Sequence, residues 1–76
     1  VNRPAAPGAI GTDFGEAIVL LAEQPGLGAK YEGARLSGVR RLFLSRVGYF
    51  VYYRADDECL HVLAFWHARH KRQPAL

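Results

Sequence analysis

Arginine supplies most of the side chains in this chain that are equipped for chemistry. Beyond residue 33 there are eight bases: Arg35, Arg40, Arg41, Arg46, Arg54, Arg69, Lys71 and Arg72. Seven are Arg, whose planar guanidinium matches phosphate and carboxylate oxygens two at a time. Three histidines, His61, His67 and His70, add groups that titrate near neutrality and can act as acid, base or ligand. The single cysteine, Cys59, sits between Glu58 and Leu60, where a strand should begin. It reads as a small half-buried residue rather than as a nucleophile. Strand alternation puts Cys59, His61 and His67 on one face. His61 and His67 are nevertheless about 20 Å apart along a strand, too far to share an ion, so no metal site is expected. The glycine-rich stretch PGLGAKYEG at 25–33 carries neither GxGxxG nor GxxxxGK[ST], so it is a connecting loop and not a phosphate cradle. No cofactor is expected.

The placement of charge says more than its total. The net charge is +3, but residues 1–33 hold two bases (Arg3, Lys30) against four acids (Asp13, Glu16, Glu23, Glu32), or −2. Residues 34–76 hold eight bases against three acids, or +5, and those acids are the consecutive Asp56, Asp57 and Glu58. Such a surface calls for an anionic partner, either nucleic acid or an acidic protein segment. The plainer reading is charge that serves solubility alone.

With 76 residues, half of them apolar and 22% charged, the chain is one domain, 1–76. That composition excludes disorder, collagen-like repeats and a disulfide scaffold. The apolar runs 17–22 and 60–66 are too short to span a bilayer, which needs roughly 20 residues. No charged start leads into an apolar stretch, so no signal peptide is visible. One cysteine fits a reducing, cytoplasmic setting. The chain begins with Val and holds no Met, as though trimmed or started in an unusual place. A domain this small buries only about 60% of its unfolded surface and is expected to lean on a partner or a second copy.

The elements that must position these groups follow from periodicity. Residues 1–11 (VNRPAAPGAIG) hold two prolines and two glycines and read as an extended leading segment. Asp13 and Glu16 resemble a capping box, and Phe14, Ala17, Ile18, Leu21 and Ala22 form a helical stripe. A helix over 13–24 follows, stopped by Pro25 and Gly26. From residue 35 the period becomes two. Residues 39–46 (VRRLFLSR) put Leu42 and Leu44 on one face and Arg41, Phe43 and Ser45 on the other. Val47 and Gly48 signal a tight turn, 49–54 (YFVYYR) a second strand, and Asp56–Asp57 a second turn. Residues 60–67 (LHVLAFWH) make a third strand, with Leu60, Val62, Ala64 and Trp66 on one face. Its apolar density suggests a central strand covered on both sides. Residues 68–76 form a basic tail. The expected fold is α+β: one helix packed on a three-stranded antiparallel β-meander within 35–67.

The run from Gly38 to His70 resembles the C-terminal half of the RelE/ParE toxin superfamily. That pattern is a basic-apolar strand, a short turn, a strand of the form Y-x-V-x-Y-R, an acidic turn, and an apolar strand ending in His and Arg. Here these are 39–46, 49–54, 56–58 and 60–69, and the upstream helix and the loop 25–28 also fall into place. The resemblance covers about residues 13–72. Members usually begin with a strand and a first helix that pairs with the helix read here, and this sequence resembles one lacking both. A missing strand would leave an unpaired sheet edge, open to a second copy.

The resemblance implies the toxin of a bacterial type II toxin–antitoxin pair, neutralised by a cognate antitoxin that wraps it. The wording of the strands is closest to ParE-like members, which poison DNA gyrase. Arg40, Arg41, Arg46, Arg54, Arg69, Lys71 and Arg72 would then bind target or antitoxin. RelE-like members are instead ribosome-dependent mRNA endoribonucleases. Such an enzyme needs a base for the 2′-hydroxyl, an acid for the leaving oxygen and cations for the phosphorane. Arg46, Arg54, His67, Arg69 and His70 are the candidates, with Arg41 a further phosphate ligand. Phe50 stands where RelE-like members often carry a base. A third reading is a non-toxic nucleic-acid-binding module that stacks bases on Phe43, Tyr49 and Tyr53.

Overall fold

The computed structural model describes residues 8–76. The expected extended segment therefore lies mostly outside the described residues, and its last residues are helical. Helix α1 runs Ala9–Glu23, starting four residues earlier than the caps suggested. Gly8 precedes it with φ +94°, a backbone state that costs glycine little, and no side chain caps the helix. The Asp13–Glu16 box is thus not a cap. Asp13 lies inside the helix and is drawn away by Arg46, whose Nη2 is 2.7 Å from its Oδ1.

Four strands follow rather than three: β1 Ala29–Lys30, β2 Arg40–Leu44, β3 Tyr49–Ala55 and β4 Leu60–His67. They form one antiparallel sheet in the order β1-β2-β3-β4. The fold is α+β. The added strand is two residues of the loop expected to be a plain connector. It pairs Ala29 with Arg41 and Lys30 with Arg40, too short a stretch to leave a periodic signal. Strand β2 is shorter than expected because residues 45–48 form the turn. The N–H groups of Val47 and Gly48 both donate to the Leu44 carbonyl, at 3.2 and 2.8 Å, and Gly48 has φ +75°.

The central strand is β3, not β4. Val51, Tyr52 and Tyr53 are all at most 1% exposed, whereas β4 is an edge strand with His61 and Val62 exposed. The helix covers the face carrying Val51 and Tyr53, which form the core with Leu21. Phe14, Leu42, Leu44, Leu60 and Phe65 pack around them. Phe14 meets Phe65 edge-on at 4.9 Å, a favoured aromatic geometry.

Leu60 and Phe65 cannot share a face under strict alternation. The register explains how they do: Tyr52 pairs with Ala64 but Tyr53 pairs with Val62, so Leu63 is an extra residue in β4. This bulge reverses the alternation beyond it. Ala64 and Trp66 therefore leave the face of Leu60 and Val62, and His67 joins the helix side, opposite Tyr49. The expected grouping of Leu60, Val62, Ala64 and Trp66, and that of Cys59 and His61 with His67, both fail for this reason.

The tail is not simply a solvated basic segment. Trp66 Nε1 donates to the Arg72 carbonyl at 2.9 Å, and the Tyr31 hydroxyl donates to Gln73 Oε1. The N–H groups of Arg35 and Leu36 donate to the Leu76 carbonyl, at 3.1 and 3.4 Å. Pro74 is buried. The strap lies over the sheet face opposite the helix, which explains how Tyr52 on that face is excluded from water.

Candidate functional site

The candidate bases separate into those with structural partners and those facing solvent. Arg40 reaches back across the β1 loop, where Nη1 donates to the Gly28 carbonyl at 2.7 Å. The Gly28 N–H donates in turn to the Tyr53 hydroxyl at 2.9 Å, and that hydroxyl donates to the Pro25 carbonyl at 2.6 Å. A Cβ at Gly28 would come within 2.8 Å of the Arg41 carbonyl, so glycine is what allows this approach. Arg40 thereby fixes the loop. Arg46 is 62% exposed in its side chain and still holds Asp13, with Nε donating to Oδ2 at 3.1 Å.

Arg41 lies on the face opposite the helix, among three rings. Its guanidinium carbon is 4.5 Å from the Phe50 centroid, 5.4 Å from Tyr31 and 5.9 Å from Tyr52. Nη1 also donates to the Tyr52 hydroxyl at 3.2 Å. Cation–π contacts of this kind are worth about 0.5–2 kcal/mol each, more where water is excluded. Phe43 extends the patch beside Phe50, with centroids 4.9 Å apart, and is 48% exposed. The sequence reading missed Tyr31, Phe50 and Tyr52. The register of β2 against β3 would have found Phe50 and Tyr52, because residues paired across strands share a face: Arg41 with Tyr52, Phe43 with Phe50. Tyr49 and Tyr53, proposed as base-stacking rings, point to the helix side. Tyr53 is fully buried, and Tyr49 stacks on Phe65 at 4.5 Å.

The remaining candidates occupy opposite ends of the sheet. Arg54 is paired with His61 at the β3–β4 turn. Arg46, His67 and Arg69 lie at the other end, joined where the Ala68 N–H donates to the Gly48 carbonyl at 2.8 Å. His67 Nδ1 accepts the Arg69 N–H at 3.0 Å, leaving Nε2 to carry the proton of the neutral ring. His70 tilts over Trp66 on the opposite face, centroids 4.6 Å apart. Arg69, Lys71 and Arg72 are exposed along the strap. The described residues thus present a half-covered Arg–aromatic patch with a basic strap across it.

One acidic group is perturbed. Asp56 is held at about 2, below its usual 3.8, first by the backbone N–H groups of Glu58 and Cys59 and then by His61. Its Oδ1 accepts those two N–H groups at 2.9 and 2.7 Å, and His61 Nε2 is 3.1 Å from Oδ2.

The chain matches, over residues 2–72, the family model described as the ParE toxin of the type II toxin–antitoxin system parDE. No curated protein and no solved structure gave a match. The chain belongs to the ParE toxin family of type II toxin–antitoxin systems. An antitoxin partner follows from that membership. No helix among the described residues is long and apolar enough to cross a membrane.

Proposed function

We propose that this chain is a toxin that works by binding, with DNA gyrase as its target and an acidic antitoxin segment as its neutralising partner. The observation that carries the reading is the scatter of the groups an RNA-cleaving centre would need. Arg54 and Tyr49 stand at opposite ends of β3, about 17 Å apart over five residues, and Arg46, His67 and Arg69 lie at the Tyr49 end. Proton transfer requires groups within about 3 Å of the reacting atoms, directly or through one water. His67 and His70 also face opposite sides of the sheet. A binding surface has no such requirement, and membership of the ParE family supports it.

In this reading the exposed bases Arg69, Lys71 and Arg72 meet the partner first, with Arg41 in the ring cluster of the same sheet face and Arg54 apart at the β3–β4 turn. Charge complementarity of this kind raises the association rate and excludes unsuitable partners. Arg40 and Arg46 contribute less, because each already serves the fold. A RelE-like nuclease is less well supported by the spacing. A non-toxic nucleic-acid-binding module would need its three rings open, yet Tyr53 is fully buried and Tyr49 is stacked on Phe65, which leaves Phe43 alone exposed among them. Strand β4 is a sheet edge, and β2 has no strand partner on the β1 side beyond Arg41 among the described residues. These edges suit a second copy or an added antitoxin strand.

Induction of the chain in a bacterial host tests this. Loss of negative supercoiling in a reporter plasmid while mRNA stays intact is expected. Ribosome-dependent mRNA cleavage with normal plasmid topology would contradict it.

A further inference from the structure

We propose that the β3–β4 turn carries a site for a zinc-class divalent cation, held by the Asp56 carboxylate, the Cys59 thiolate and the His61 imidazole. The spacing D-x-x-C-x-H brings them together through hairpin geometry. Asp56 and Cys59 face each other across the hairpin end, where the Asp56 N–H donates to the Cys59 carbonyl at 3.0 Å. Cys59 immediately precedes β4 and His61 is its second residue, so the two are one extended dipeptide repeat apart and lie on the same side of the chain. A cross-strand neighbour and a same-face neighbour converge on one point. One donor atom from each residue lies within 4.8 Å of the others.

That separation is close to what an ion requires. With metal–sulfur bonds of about 2.3 Å and metal–nitrogen or metal–oxygen bonds of about 2.0–2.1 Å, tetrahedral donors sit roughly 3.3–3.8 Å apart. All three side chains are exposed, so rotation about their own bonds closes the difference without moving the strands. Asp56 is already oriented by the Glu58 and Cys59 N–H groups on Oδ1, which leaves Oδ2 toward His61 Nε2. An ion would replace the proton shared between Oδ2 and Nε2 and displace the proton of the Cys59 thiol. Mixed sulfur, nitrogen and oxygen donors select zinc-like ions over magnesium or calcium. Three protein ligands leave a fourth position for water, so the site is open and its binding reversible.

The surrounding charge favours a cation. Asp57 and Glu58 flank the turn, against one opposing base, Arg54, paired with His61 on the neighbouring strand. An exposed ion pair and a turn bonded by a side chain would account for Asp56 and His61 alone. They leave the thiol beside them without a role.

The full chain, reduced with a phosphine, is titrated with Zn2+ by calorimetry and with Co2+ by absorption. One ion per chain is expected, with a thiolate-to-cobalt charge-transfer band and the ligand-field bands of tetrahedral cobalt. Cys59→Ser should abolish the charge-transfer band. Cys59→Ser and His61→Ala should each weaken Zn2+ binding about tenfold or more. Zn2+ should also raise the thermal midpoint of the parent chain but not of Cys59→Ser. Zn2+ uptake that neither substitution changes, or that is lost in His67→Ala or His70→Ala instead, would overturn the site.

Discussion

At the residue scale the structure separates bases that hold the fold from bases left free. Arg40, Arg41 and Arg46 look alike in the sequence but serve a loop carbonyl, a ring cluster and a helix carboxylate respectively. Composition identified the basic half, but not these partners, because each depends on residues at least nine positions away. Asp56 shows the same limit. The turn was legible from Asp56–Asp57, whereas its bonding to Cys59 and His61 depended on how the hairpin closes. Because the folded carboxyl is held near 2 against an ordinary 3.8, its contribution to stability is present above about pH 4 and lost as pH falls toward 2. Asp56→Asn should therefore lower the thermal midpoint at pH 6 and show a smaller further loss between pH 4 and pH 2 than the parent chain. Parallel pH curves would refute this assignment. The pair with His61 is exposed and screened, so salt should change the difference only slightly.

At the element scale, existence and type were largely legible, while edges and faces were not. Strand β4 was placed with its bounds, and β3 nearly so, because their apolar and aromatic runs are bounded by turn residues. The helix began earlier than the capping pattern indicated, since a left-handed Gly8 starts it without a side-chain cap. The bulge at Leu63 has no residue signature and reverses half a strand. Deleting Leu63 should remove the bulge and leave Val62 opposite Tyr53 and Ala64 opposite Tyr52, so that Trp66 and His67 keep their faces and unfolding read by Trp66 fluorescence stays cooperative. Loss of cooperative unfolding in the deletion variant would contradict the register. The β1 loop is tied by Arg40 and by one hydroxyl, because Tyr53 serves both Gly28 and Pro25. Tyr53→Phe should cost about 1–3 kcal/mol in denaturant unfolding, since the buried Gly28 N–H loses its acceptor. A change below a few tenths of a kcal/mol would show that water replaces the hydroxyl.

At the scale of the whole molecule, a helix and a strap cover the two faces of one small sheet. The fully buried core among the described residues rests on few side chains, chiefly Leu21, Val51, Tyr52 and Tyr53. Leu21→Ala should cost about 2–5 kcal/mol, a large fraction of the stability of so small a domain. Equilibrium urea unfolding would measure it. The strap was legible only as a basic tail, since its contacts run to Tyr31, Arg35 and Leu36, far back along the chain. It carries the exposed bases Arg69, Lys71 and Arg72, which the binding account proposes as the first to meet the partner. The most direct test is a gyrase supercoiling reaction titrated with the purified full chain and with an Arg69→Glu/Lys71→Glu/Arg72→Glu variant. The account expects the parent chain to inhibit supercoiling, and the variant to need about tenfold more protein or greater for the same effect. Supercoiling unaffected by the parent chain, or inhibited equally by the charge-reversed variant, would contradict it.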